Sequence, residues 1–343
     1  MSAKQVLIIV HGMGDHTKES FTKEVVGAAN NALIRYPNYK NKKFENEVFV
    51  EPISYNHIFE EMRTKMKTKG ASLQTFIKSE LGGVNIPSFF TSLNDIEASL
   101  GDNTFANTHV LDVIFYLSIL GEKVRIYVQQ EIIKITKKYQ QTTEINILAH
   151  SLGTAVTHDA LNKLFTTGKT TDLQLNIVDH KINSLWMIAN VSDIITSFSG
   201  LTDPKKSIVN PGGDGCVTKF YNAFHELDPF TLKVFKRFDP NNRDNWLSDS
   251  VYKHRYVSFK TEKVSRPNTH DIMGYLEDPI ICHEFLNQFF DFKPEGQEKE
   301  KGDEAFKNIQ DDFKTVKKRL NKISDKDDLK DFINLLKDFK DFL

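Results

Sequence analysis

The run QVLIIV, Gln5–Val10, constrains the fold more than any other segment. It is continuous, apolar and rich in β-branched residues, which suits a strand buried on both faces of a parallel sheet. The turn HGMGDH follows, then a helical pattern through Val25, Val26, Ala29, Leu33 and Ile34, then a second strand within EVFVEPISY, Glu47–Tyr55. Strand, helix and strand in this order predict parallel α/β construction. The same alternation resumes further on. INIL precedes Ser151, a helix spans about Leu152–Phe165, and INSLWMIAN, CVTKFYNAF and HRYVSFKT read as three more strands. A helix over GYLEDPIICHEFLNQFFDF, broken or begun by Pro279, closes the domain.

Two regions interrupt this order. Residues 57–108 form a helical insertion before the serine strand, opening with the Lys-rich HIFEEMRTKMKTKGA and continuing through LGGVNIPSFFTSL. Its paired Phe residues suit a lid or acyl-chain wall as well as they suit core. A long helical stretch from Val110 to Tyr139 then leads back to the sheet. After residue 293 the composition changes. KPEGQEKEKGDE reads as a linker between a domain of residues 1–293 and a charged tail, 294–343. In the tail, Phe306, Ile309, Phe313, Val316, Leu320 and Ile323, then Leu329, Phe332, Leu336, Phe339 and Leu343, step by three and four. That spacing predicts an amphipathic helical hairpin, turned and capped at SDKDD, which packs on the domain or mediates self-association.

The 343 residues carry a formal net charge of −1, which excludes the basic excess typical of nucleic-acid binding. Cys216 and Cys282 are too few for a disulfide framework, and no Cys/His spacing for a metal occurs. The N-terminal apolar run is too short for a signal peptide, and no window has the ~20 apolar residues of a membrane span. The expectation is a soluble, cytoplasmic protein that needs neither metal nor cofactor.

The stretch EINILAHSLGTAVTHDAL, 144–161, carries the chemistry. A nucleophile on a tight strand-to-helix turn is held in an unfavourable backbone conformation, and the residues two before and two after it must be nearly without side chain. Here those are Ala149 and Gly153, so Ser151 reads as the nucleophile. The bland alternative is a chance small-x-Ser-x-Gly match, and the flanking strand and helix weigh against it. Acyl transfer also needs backbone donors for an oxyanion. The amide of Leu152, opening its helix, is one; the turn at Gly12-Met13 supplies Met13 as the second. His270, in the polar loop SRPNTHDIMGY, is the best placed of eleven histidines to act as base. His150 adjoins the serine but reads as packing, and His16 has no supporting neighbours. For the acid, Asp228 in NAFHELDPFT is preferred, with Asp193 in IANVSDII as its rival. The chain order is then Ser, Asp, His.

Together, IIVHGMGDH, LAHSLGTAV, FYNAFHELDPF and NTHDIMGYLEDP resemble an α/β-hydrolase of the lipase/esterase kind. DVIFYLS and FHELDPFTLKVFKRFDP are similar to DDHD-domain intracellular phospholipases and related bacterial hydrolases. KHRYVSF, which lacks an acidic residue, and the charged tail lie outside that pattern. The resemblance implies an α/β-hydrolase fold with a mostly parallel central sheet flanked by helices. It also implies carboxyl-ester hydrolysis by Ser151, Asp228 and His270 on an acyl-ester or lipid substrate, which is compatible with peripheral membrane contact. The alternative from another class is an inactive hydrolase fold used as a binding or tethering module through its tail.

Overall fold

The computed structural model describes residues 5–14, 16–70, 73–80, 111–139, 144–166, 175–193, 195, 206–231, 237–240, 246, 254–266 and 268–306. Much of the expected insertion, including VNIPSFFTSL, and the C-terminal hairpin beyond residue 306 lie outside these residues.

Six strands form one sheet in the order β2-β1-β3-β4-β5-β6. They are β1 (Gln5–Val10), β2 (Val48–Ile53), β3 (Ile145–His150), β4 (Ile182–Ile188), β5 (Val217–His225) and β6 (Tyr256–Thr261). Every neighbouring pair is parallel, with Val10 opposite Ala149 and Ala149 opposite Met187. Each strand overlaps the run that predicts it, β3 and β5 extending two and one residues beyond INIL and CVTKFYNAF, and QVLIIV is β1 residue for residue. β1 and β3 are buried along nearly their whole lengths, which is why their sequences read as continuous apolar runs rather than alternating ones.

The pleat sends alternate side chains into two cores. Leu7, Ile9, Leu148, Trp186 and Tyr221 face one layer, formed by α1 (Lys18–Ile34) and two helices near the end of the described chain. Val6, Ile8, Val10, Ile147 and Met187 face the other, which includes α2 (Asn56–Lys69) and, after α3 (Leu73–Glu80), the helical stretch 111–139. That stretch is a single helical rod interrupted by a π turn at Tyr116–Leu120, before α4 (Gly121–Tyr139). The helix α5 (Leu152–Thr166) packs on α4 and follows β3 directly.

The expected closing helix is two: α6 (Ile272–Glu277) and α7 (Pro279–Phe289). Asp278 separates them, its side chain accepting the Ile280 N–H, and Pro279 stands where a helix needs no donor. The expected linker after residue 293 is also largely helical. In α8 (Gly296–Glu304), Asp303 accepts the Tyr36 hydroxyl at 2.6 Å and lies 2.7 Å from His283 Nε2. Glu298 accepts the Asn38 amide, and the Arg35 guanidinium sits over the Phe306 ring. A charged composition there marks a helix docked by its polar groups, not an extended spacer.

From β1 the chain moves to the β2 edge, then crosses back to place β3 on the other side of β1. The sheet order therefore reverses between β1 and β3, and loops leaving the carboxyl ends of those two strands diverge around a crevice. HGMG follows β1 and Ser151 follows β3, so both come to that crevice.

Candidate active site

Ser151 occupies the single residue between β3 and α5, with φ of 55°, in the left-handed region that a serine seldom adopts. The conformation is over-determined by its surroundings. The Ser151 N–H bonds the Ile188 carbonyl at 3.0 Å, and its own carbonyl accepts the Thr154 N–H and hydroxyl at 2.8 and 2.6 Å. A Cβ at Gly153 would lie 2.3 Å from the His11 carbonyl oxygen, and one at Gly12 would lie 2.5 Å from Ser151 Cβ. The β1 loop and the serine turn thus touch backbone to backbone, and glycine is required on both sides. Ala149 fits as a fully buried residue of β3.

The loop after β1 is held by His11. Its Nδ1 donates to the Gly12 carbonyl at 2.7 Å, and its Nε2 accepts the Tyr55 N–H at 3.2 Å. Both roles require neutral imidazole, and burial lowers the His11 pKa to about 3. The Tyr55 hydroxyl adds bonds to the His11 and Gly12 carbonyls. Because N–H and C=O of a trans peptide point opposite ways, anchoring the Gly12 carbonyl at Tyr55 aims the Met13 N–H away from it. One residue on, the Gly14 N–H bonds Asp112, which is paired in the interior with Arg63 of α2. The Leu152 N–H, in the first turn of α5, has no partner within its helix. The positive end of that helix lies at Ser151.

On the other side, His270 Nδ1 lies 2.9 Å from Asp228 Oδ2. Since the carboxylate can only accept, Nδ1 carries a proton, and the neutral ring then presents its lone pair at Nε2. Asp228 is fully buried, and Oδ1 accepts the Phe230 N–H while Oδ2 also accepts the Tyr275 hydroxyl at 2.5 Å. Burial and the Asp228 charge push the Tyr275 pKa far up, so it remains a donor. His150 donates from Nε2 to the His270 backbone carbonyl at 2.8 Å, its own pKa driven far down by burial and by His270. The Phe230 ring lies against the imidazole with centroids 4.3 Å apart.

Ser151 Oγ and His270 Nε2 have no hydrogen-bond partner, although the residues are 1% and 7% exposed. Both residues line one cavity of about 220 Å³, with Met13, His16, Glu24, His150, Asn268, Asp271, Ile272 and Met273. Asp193 stands elsewhere, its carboxylate accepting the Asp239 N–H at 3.4 Å while His270 turns to Asp228. His150 is more than packing, because it fixes the loop that carries His270. His16, from the loop after β1, and Glu24, from α1, enter the cavity unforeseen. No local signal marks Glu24, whose position depends on α1 packing against α6.

Among the described residues, no cluster of three or more His, Cys, Asp or Glu side chains could hold a metal ion. Nor is any helix among them long and apolar enough to cross a membrane. No known family matches the chain, and neither curated proteins nor solved structures gave a match. What the molecule defines by itself is an α/β protein with an all-parallel sheet and a serine turn at the sheet's point of reversal.

Proposed function

We propose that the chain is a serine hydrolase of the α/β-hydrolase type, cleaving carboxyl esters through an acyl-enzyme. The observation that carries this reading is the pair of buried, unpartnered atoms, Ser151 Oγ and His270 Nε2, on one cavity, with Asp228 behind the imidazole. A buried polar atom left unpaired costs roughly 1–3 kcal/mol, so two that share a cavity call for a functional explanation.

In this reading, Ser151 Oγ attacks the carbonyl carbon and its proton passes to His270 Nε2. The oxyanion is held by the amides of Met13 and Leu152. The carbon–oxygen bond to the alcohol breaks as His270 returns the proton to the leaving oxygen. Water then attacks the acyl-enzyme, giving one proton to His270, and Ser151 regains it as the acid departs. Asp228 holds the Nδ1–H tautomer throughout, with Tyr275 and the Phe230 amide fixing the carboxylate. Acyl esters, those of lipids included, are the proposed substrates.

A fluorophosphonate probe tests the reading by intact mass. One equivalent should attach to Ser151 and none to the Ser151→Ala protein. A natively folded chain that takes up no probe would overturn the enzyme reading and leave the inactive binding module.

A further inference from the structure

The cavity beside Ser151 has an acidic wall that its cationic neighbours compensate only in part. Glu24 of α1 and Asp271 of the His270 loop both line it, together with His16 and Asn268, whereas Met13, Ile272 and Met273 are its only apolar members among the described residues. The existing partners do not neutralise this wall. His16 Nδ1 is 3.8 Å from Glu24, and Arg266 reaches Asp271 only at 3.9 Å while lying 3.0 Å from Glu277. One Asp271 oxygen is engaged in capping α6 through the Met273 N–H. Burial, then the Asp271 charge, raise the Glu24 pKa to about 7, with Arg266 opposing.

The side of the cavity follows from the chemistry. His270 must hand its proton to the departing oxygen, so the leaving alcohol lies on the side of the loop bearing His270. That loop also carries Asn268 and Asp271, and α1 brings Glu24 to it. The oxyanion donors, Met13 and Leu152, come from the other two loops.

We infer that the leaving group of the substrate carries a positive charge, an ammonium held by Glu24 and Asp271 next to His270. This rests on the serine-hydrolase reading and names the substrate class for it: esters of amino or quaternary-ammonium alcohols. A cation of this kind supplies the charge that the wall's partners leave unmatched.

Two phosphonothiolates of equal shape test it without requiring the right acyl chain. One has a 2-(trimethylammonio)ethylthio leaving group, the other its neutral 3,3-dimethylbutylthio counterpart. With each, a bond forms from Ser151 Oγ to phosphorus, the P–S bond breaks, and the serine proton leaves on the thiol by way of His270. The rate of mass gain should favour the cationic reagent by about fivefold or more, the equivalent of about 1 kcal/mol from a partly exposed ion pair. The ratio should fall towards that of the free reagents in Glu24→Gln and in high salt. Equal rates in the unmodified protein, or a preference that survives Glu24→Gln, would overturn the cationic leaving group and leave the hydrolase standing. Failure of both reagents and of the uncharged fluorophosphonate would overturn the hydrolase and this inference together.

Discussion

The two loops that flank Ser151 are built on opposite principles. In the loop after β1, the described polar groups close on one another: His11 on Tyr55 and Gly12, Gly14 on Asp112, Asp112 on Arg63. The loop carrying His270 is as firmly held from behind, by Asp228, Tyr275 and His150, but its front is open. His270 Nε2 and Ser151 Oγ have no hydrogen-bond partner, and the acids on the same cavity are incompletely paired. The first loop is built to stay where it is, and the second to meet something. This division matches what acyl transfer asks of each side, fixed dipoles for the oxyanion and a proton acceptor left available.

The greatest effect should come from depriving the open side of its support. Asp228→Asn keeps the shape but not the charge that holds the His270 tautomer, and should lower kcat/KM by about 10³- to 10⁴-fold. Asp193→Asn should leave turnover within about twofold, since that carboxylate caps a different amide. Ester hydrolysis measured on both proteins would reverse the assignment if only the second change mattered.

The closed side should instead fail as a structure. Arg63→Met removes the guanidinium paired with the buried Asp112 carboxylate, at a cost of about 3–5 kcal/mol in chemical denaturation. Gly12→Ala tests the contact between the two sides, because the new methyl would stand 2.5 Å from Ser151 Cβ. Overpacking of that kind costs about 1–3 kcal/mol and displaces the Met13 amide, and kcat should fall about 100-fold. A Gly12→Ala protein that hydrolyses esters with unchanged kcat would show that this loop is not part of the proposed chemistry.

Much of this contrast is legible in the sequence, and the reason differs by element. β1 is readable because burial on both faces leaves only apolar residues, and Ser151 because its turn admits only small neighbours at 149 and 153. Asp228 and His270 are readable as polar residues in loops beyond strands. His150 is misjudged because alternation along β3 directs it away from the serine, yet the loop bearing His270 folds over to meet it. Glu24 and His16 are invisible for a different reason. Glu24 is placed by α1 lying across α6, a contact between residues some 250 positions apart that no local pattern encodes, and His16 by the loop that enters α1. The helix Gly296–Glu304 escapes because its hold on Tyr36 and Asn38 is polar, and charge in sequence resembles solvent exposure.

A smaller effect is expected where support is shared. Tyr275 is one of two donors to Asp228 Oδ2, so Tyr275→Phe should lower kcat/KM by only about tenfold. It should also move the acid limb of the kcat/KM profile to higher pH, because the carboxylate charge is then shared with one donor fewer. A role confined to packing would change stability and leave that limb in place.

The smallest change concerns the open side, and its sign is the opposite of most. The Glu24 pKa is raised from the ordinary value of 4.5 to about 7, by burial first and by Asp271 second. A carboxyl with a raised folded pKa binds more protons in the native state between those two values, so its contribution falls as pH rises from 4.5 to 7 and stays unfavourable above. Glu24→Gln removes that penalty. Its side chain is a third exposed, and discounting the shift for solvent leaves about 1 kcal/mol. The variant should therefore unfold at higher denaturant than the unmodified protein at pH 8, and at nearly the same concentration at pH 4.5. A variant less stable at pH 8 would mean that His16 and Arg266 already satisfy the Glu24 charge. A more stable one would mark Glu24 as a charge kept at a cost to folding, which is expected where binding rather than folding places the residue.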